Sequence, residues 1–321
     1  MKKVLSIITC LLLITTIFSS CAVPQKATGG FKIVCTTFVE YDFIRNITGS
    51  EENIILLNKN GADMHGFEPT AKDIVEIRTA NLFVYIGGAS DRWVERLISS
   101  NDNPGLKCVA LMKYVETLTL EDIETMQFGE HHTHEHAEHT HEHSPEEADE
   151  HIWLSVKNAI TVVNGLCEDI CAIDSANAEK YKANTASYVA KLDALENEYE
   201  KVFTDSKRNV ILFADRFPFG YLTHDYGVSH LAAFTGCSSE SEITAETFAH
   251  LIEHTNELEL PYVLMLKGSD GKTAQTVCNA SGAKALTVDS LQTVSETDIK
   301  NGTTYIDSMK NNLKIFKEAL N

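Results

Sequence analysis

One histidine stands in Gly61-Ala62-Asp63-Met64-His65-Gly66-Phe67-Glu68-Pro69-Thr70, a turn-rich stretch between two apolar runs. A second stands in Asp149-Glu150-His151-Ile152-Trp153-Leu154, just ahead of a helix-like run. A neutral imidazole offers one ring lone pair to a metal such as Zn²⁺, which takes four tetrahedral ligands from His, Cys and carboxylate. Two histidines far apart in sequence that meet in a fold would supply half of such a set.

A third source of imidazole is concentrated in one place. Within residues 131–143 lie seven histidines, His131, His132, His134, His136, His139, His141 and His143, interleaved with Glu135, Glu138 and Glu142. No apolar periodicity survives from Gln127 to Ala148, so residues 127–148 are expected to form a disordered, His-rich surface loop that captures metal weakly. The internal position and mixed glutamate spacing distinguish it from an affinity tag.

The remaining histidines carry less. His250 and His254 are spaced i, i+4, but Phe248, Leu251 and Ile252 mark the apolar stripe of their helix and leave them on the solvated face. His224 and His230 flank Tyr226-Gly227 with no partner at ligand spacing. No His-Glu-x-x-His, Gly-x-Ser-x-Gly or phosphate-cradling Gly-x-x-x-x-Gly-Lys occurs, and no motif sets up Glu68 or Glu150 as a general base, so an enzyme is not expected.

The elements that must position these residues alternate. Phe31–Thr36, Ile54–Leu57 and Leu82–Ile86 read as strands. Helical stretches run through Tyr41, Phe43, Ile44 and Ile47 to Gly49, and from about Ala71 to Thr79. That rhythm implies βαβ units and a mostly parallel sheet, whose ligands gather beyond the carboxyl ends of the strands. His65 occupies one such loop. A helix follows His151 through Val156, Ile160, Val163 and Leu166.

Residues 175–203 carry Tyr181, Tyr188, Leu192, Leu195, Tyr199 and Val202 on one stripe, a linking helix roughly 40 Å long at about 1.5 Å per residue. Beyond it the α/β pattern restarts, with strands at Asn209–Phe213, Leu231–Phe234, Pro261–Leu266 and Ala285–Val288. Its helices fall at Pro218–Tyr226, Ala245–Thr255, Gly271–Ser281 and Tyr305–Leu320. The expected fold is therefore α/β, with two Rossmann-like lobes at 31–174 and 204–321 joined by a long rigid helix.

The N-terminus has Lys2 and Lys3, an apolar run from Val4 to Phe18 and the small pair Ser19-Ser20, which describes an export signal over residues 1–20. The run falls short of the ~20 apolar residues that a membrane span needs. Cys21 after Ser19-Ser20 resembles the acylated cysteine of a bacterial lipobox, with Phe18 where Leu is usual. Residues 21–30 then read as a lipidated, flexible tether and the protein as extracytoplasmic.

Without the signal, 25 basic residues face 46 acidic ones, a net charge of −21 that argues against nucleic acid or anionic surfaces and suits a cation. Of the cysteines beyond Cys21, Cys167 and Cys171 lie too far apart on a helix for a disulfide. Cys237 and Cys278 are a candidate bridge, and the rest read as small core residues.

Taken together, the chain resembles the zinc and manganese solute-binding lipoproteins of bacterial ABC importers, the cluster A-I family. The resemblance rests on the two histidine motifs, the His-rich loop, Phe219-Gly220-Tyr221 with Asp225-Tyr226-Gly227, and Val288-Asp289-Ser290. It covers nearly the whole chain after the signal. It implies one divalent metal in a cleft between the lobes, held by His65 and His151 from the first and Asp289 from the second, and delivered to a membrane permease by a monomeric receptor.

The third family ligand is a His or Glu three residues before Phe-Gly-Tyr, and that position here is Arg216, a permanent cation with no lone pair to give. Asp215 first, or Glu240 or Glu242 from the following loop, or a water is expected to take its place, or Arg216 pairs with Asp289 or Glu240 and leaves a two-histidine site. The histidines favour zinc, and manganese is second because it suits carboxylate oxygen. A surface adhesin on the same fold is the alternative to transport.

Overall fold

The computed structural model describes residues 30–124, 148–234 and 243–321. Cys21, the histidines of 131–143, Cys237, Glu240 and Glu242 lie outside them.

Strand β1 (Ile33–Cys35) is a three-residue run buried on both faces, as a central parallel strand must be. It leads into α1 (Phe38–Thr48), which Gly49 ends in the left-handed conformation that a residue without Cβ adopts freely. Next come β2 (Ile54–Leu56), a 3₁₀ turn at Met64–Gly66, α2 (Ala71–Arg78) and β3 (Leu82–Tyr85). Then follow α3 (Arg92–Ser99), β4 (Lys107–Ala110), α4 (Leu120–Glu124) and α5 (Val156–Ile173). The four strands pair in parallel in the order β2-β1-β3-β4.

The long helix α6 (Ala178–Thr204) follows a 3₁₀ turn at Ser175–Asn177. The second half contains β5 (Val210–Arg216), α7 (Gly220–Tyr226), β6 (Ser229–Phe234), α8 (Ala245–Glu257) and β7 (Tyr262–Leu266). It ends with α9 (Lys272–Ser281), β8 (Lys284–Val288), α10 (Glu296–Lys300) and α11 (Tyr305–Ala319). Its sheet order, β6-β5-β7-β8, repeats that of the first lobe, and all of its pairings are parallel. The expected α/β fold with two lobes and a long helix is present. Both sheets are wholly parallel, where a mostly parallel sheet was expected.

Helix α6 buries Tyr181, Thr185, Tyr188, Leu192, Leu195, Tyr199 and Phe203, one stripe that packs on α1 and α5 on one side and on α7 and α11 on the other. Aromatic rings carry that contact into the second lobe, with Phe203 stacked on Tyr226 at 4.7 Å between centroids and tilted against Phe316 at 5.8 Å.

Buried Asp42 fixes the same corner by accepting hydrogen bonds from Arg45, from the Tyr188 hydroxyl at 3.1 Å and from the Tyr305 amide at 3.3 Å. Nearer the cleft, the buried Trp153 indole donates to the Ser290 carbonyl at 2.9 Å, and the Tyr305 hydroxyl donates to the Trp153 carbonyl at 2.6 Å. The lobes are thus joined by paired polar contacts as well as by apolar packing. No described helix is long and apolar enough to cross a membrane. Cys167 and Cys171 are free thiols, their sulfurs 3.8 Å apart.

Candidate metal centre

Both histidines stand in loops of the first lobe that face the second, His65 in the loop that follows β2. His65 sits in the Met64–Gly66 turn, whose entry is tied by Asp63, the side chain of which accepts the His65 amide at 3.1 Å. Asn58 closes the loop before it with two bonds to the Ala62 backbone. Gly61 in this loop has φ +62°, and a Cβ there would meet the Thr293 carbonyl oxygen at 2.4 Å. The second lobe passes directly over the His65 loop, and only glycine leaves room for it.

His151 is reached by a different route. An antiparallel bridge between Thr119 and Ala148 and the Asp149 amide bond to the Leu118 carbonyl at 2.8 Å bring the chain back to the lobe. The Tyr221 hydroxyl of the second lobe donates to the Asp149 carbonyl at 2.7 Å and accepts from the Leu118 amide at 3.1 Å. His151 itself is only 2% exposed.

Each ring is held through its Nδ1. His151 Nδ1 is 2.5 Å from Asp149 Oδ1. His65 Nδ1 lies 2.8 Å from Ser90 Oγ and 3.1 Å from Glu150 Oε1, and Ser90 donates its hydroxyl to Glu150 at 2.7 Å. A carboxylate that accepts from Nδ1–H fixes the tautomer and leaves the lone pair on Nε2. Burial alone would push the Glu150 carboxyl up. Hydrogen bonds from His65 and Ser90 and the nearby His151 imidazole outweigh it and hold the group below its ordinary value. Behind it, burial, with a contribution from the charge of Glu150, raises the Asp91 carboxyl to about 6.

The two Nε2 atoms converge on Gln292. Its Nε2 is 2.5 Å from His151 Nε2 and 3.1 Å from His65 Nε2, while Ser290 Oγ donates to its Oε1 at 3.1 Å. An amide NH₂ has two hydrogens for two imidazole lone pairs, so the arrangement is internally consistent. Gln292 is 6% exposed and follows Leu291, whose φ of +62° turns the chain into the cleft.

The expected second-lobe ligands have protein partners in this structure. Asp289 pairs with Lys267 at 2.8 Å and accepts the Leu291 amide at 2.8 Å. Asp215 accepts the Leu266 amide at 3.1 Å and the Arg216 amide at 2.8 Å, which ties it to its own sheet. Arg216 reaches across the cleft to Asp63 at 3.1 Å instead of pairing with Asp289. Among the described residues no three His, Cys, Asp or Glu side chains are grouped to hold a metal ion. The cleft offers two imidazoles from one lobe and an amide from the other.

Comparison with known proteins decides what kind of cleft this is. Residues 33–319 match the family described as "Zinc-uptake complex component A periplasmic". The chain belongs to that family. It is a family of uptake components and not of enzymes.

The zinc-binding protein AdcA of Streptococcus pyogenes is 30% identical over 91% of this chain, which spans 56% of that relative's length. The high-affinity zinc uptake system protein ZnuA of Bacillus subtilis is 30% identical over 97% of this chain and 95% of its own. The crystal structure of the Zn(II)-bound ZnuA-like domain of Streptococcus pneumoniae AdcA superposes with a TM-score of 0.73 at 27% identity. That match covers 91% of this chain and 99% of the domain.

Sequence reasoning did not reach Gln292, Ser90, or the orienting roles of Asp149 and Glu150. The two carboxylates directly precede His151 in sequence and were open to notice. Gln292 gave no such signal, because a neutral amide is not an ordinary zinc ligand.

Proposed function

We propose that this protein is an extracytoplasmic, lipid-anchored receptor that binds zinc through His65 and His151 and delivers it to an ABC permease. The observation that carries the proposal is the convergence of the two Nε2 atoms on one point, each ring fixed through Nδ1 by a carboxylate or a hydroxyl. Membership of a zinc-uptake family and the zinc bound by an AdcA domain of the same fold support zinc as the cargo. Two neutral imidazoles also favour zinc over manganese, which prefers an oxygen-rich octahedral shell.

In this reading Gln292 turns its amide to offer oxygen, or gives way to water, and Asp289 and Asp215 keep their present partners. Cys21 carries the lipid, the acidic mature chain works as a monomer outside the cytoplasm, and the histidines of 131–143 gather ions for the cleft.

Trp153 makes the site measurable, since its ring lies 5.3 Å from that of His151. With Trp93→Phe it becomes the chain's single tryptophan reporter. Zinc is expected to change its emission with one saturable transition, and His65→Ala with His151→Ala to abolish that change. An unchanged transition in the double variant would refute the cleft site. Stimulation of a reconstituted permease's ATPase by the zinc-loaded receptor tests delivery, and labelled palmitate on the wild type but not on Cys21→Ser tests the anchor.

A further inference from the structure

A second histidine pair lies on α8 of the other lobe, in a helix that buries Leu251 and Thr255 toward the sheet and starts at a Thr244 cap bonded to the Thr247 amide at 3.0 Å. His250 and His254 are one turn apart on its outer flank. Their Nε2 atoms lie 3.0 Å from each other, with the rings near perpendicular at 82° and centroids 4.3 Å apart. Residues at i and i+4 are neighbours on a helix, but nothing in that spacing aims both ring nitrogens at the same point.

We propose that His250 and His254 chelate a divalent transition metal at this surface site. Zn–N bonds of about 2.0–2.1 Å in a tetrahedron set two ligand nitrogens roughly 3.3 Å apart, so the pair needs to open by only a few tenths of an ångström. His254 Nδ1 lies 3.3 Å from the Glu257 carboxylate, which adds negative charge beside the pair. At this distance a single hydrogen, carried by one of the two rings, lies between the Nε2 atoms. On binding, that hydrogen moves through solvent to the Nδ1 of the ring that carried it, the ion takes both Nε2 lone pairs, and no net proton is released from the neutral pair. Glu246, one turn before His250, and Glu253 add negative charge on this exposed face, and water completes the shell. Two imidazoles select Zn²⁺, Ni²⁺ or Cu²⁺ and leave Mg²⁺ and Ca²⁺ to oxygen sites.

The site is independent of the cleft, so its test is read residue by residue on the full chain. Diethylpyrocarbonate modifies free imidazole nitrogens, and peptide mass spectrometry reports each histidine separately. Zinc is expected to remove the reactivity of His250 and His254 together at one common midpoint, in the wild type and equally in His65→Ala with His151→Ala; magnesium is expected to leave both reactive. In His250→Gln, an exposed substitution whose helix content circular dichroism confirms, His254 is expected to lose its zinc protection. Protection of His254 that persists in His250→Gln overturns the proposal. So does protection that vanishes with the cleft histidines, and so does full reactivity of both residues in zinc-saturated protein.

Discussion

Gln292 Nε2 lies 2.5 Å from His151 Nε2, so the second lobe meets the more buried cleft histidine with a neutral hydrogen-bond donor. The same nitrogen satisfies His65 at 3.1 Å. An incoming cation has to displace this donor, and neither an amide oxygen nor a water in its place brings charge.

Gln292→Glu is therefore expected to tighten zinc binding. The carboxylate has the same reach, offers lone pairs where the amide offers hydrogens, and attracts the dication. A gain of tenfold or more, about 1.4 kcal/mol, is expected in a competition titration against a chromophoric chelator. Unchanged or weaker affinity would mean that residue 292 stays out of the metal's shell.

Asp149→Asn tests the opposite side of the same ring. Asp149 Oδ1 accepts from both the His151 amide at 2.9 Å and, at 2.5 Å, its Nδ1. Losing a carboxylate that orients a ligating histidine costs roughly 10–100-fold in metal affinity. That loss should appear in the Trp153 fluorescence titration with little change in melting temperature, since the amide keeps the shape of the side chain.

Much of this architecture was legible because alternation of short apolar runs with amphipathic stretches follows directly from burial. Leu82–Tyr85 and Tyr262–Leu266 are dense enough in Leu, Val and aromatic residues to read as inner strands. β4 escaped notice, since Lys107-Cys108-Val109-Ala110 is short and starts with a charge. His65 and His151 were visible as isolated histidines in turns. The partners of the second-lobe half were not, because sequence names strand-end carboxylates such as Asp215 and Asp289 without saying what each one meets. In three dimensions a backbone amide or Lys267 lies closer to hand. What enters the cleft instead depends on the left-handed turn at Leu291, and no residue type announces that conformation outside glycine or asparagine.

Trp153→Phe is expected to loosen the junction of the lobes. The substitution removes the indole N–H that pairs with the Ser290 carbonyl, two residues before Gln292, and leaves space in a core position that is 1% exposed. A lost buried hydrogen bond plus the vacated volume corresponds to roughly 1–3 kcal/mol. Urea unfolding followed by circular dichroism should show a lower midpoint at unchanged slope.

His230 sets an acid limit on stability. It is 1% exposed, stacked on Phe217 at 3.9 Å, and its Nδ1 has no partner among the described residues. Burial lowers its pKa from 6.5 to about 4. Between those values the unfolded chain takes up a proton that the folded chain refuses. The stability contributed by the neutral ring is thus full above pH 6.5, declines as pH falls through the window, and is gone below about pH 4. The span is worth about 3 kcal/mol at 1.36 kcal/mol per unit. Glu40 slopes the other way: burial first of all raises its carboxyl to about 8, so its effect is to lower stability as pH rises from 4.5 toward that value. The difference between wild type and His230→Leu cancels Glu40 and isolates the histidine. Unfolding free energies measured from pH 4 to pH 7 should show wild type losing ground to the variant as pH falls, and a constant difference across that range would mean that His230 is not buried neutral.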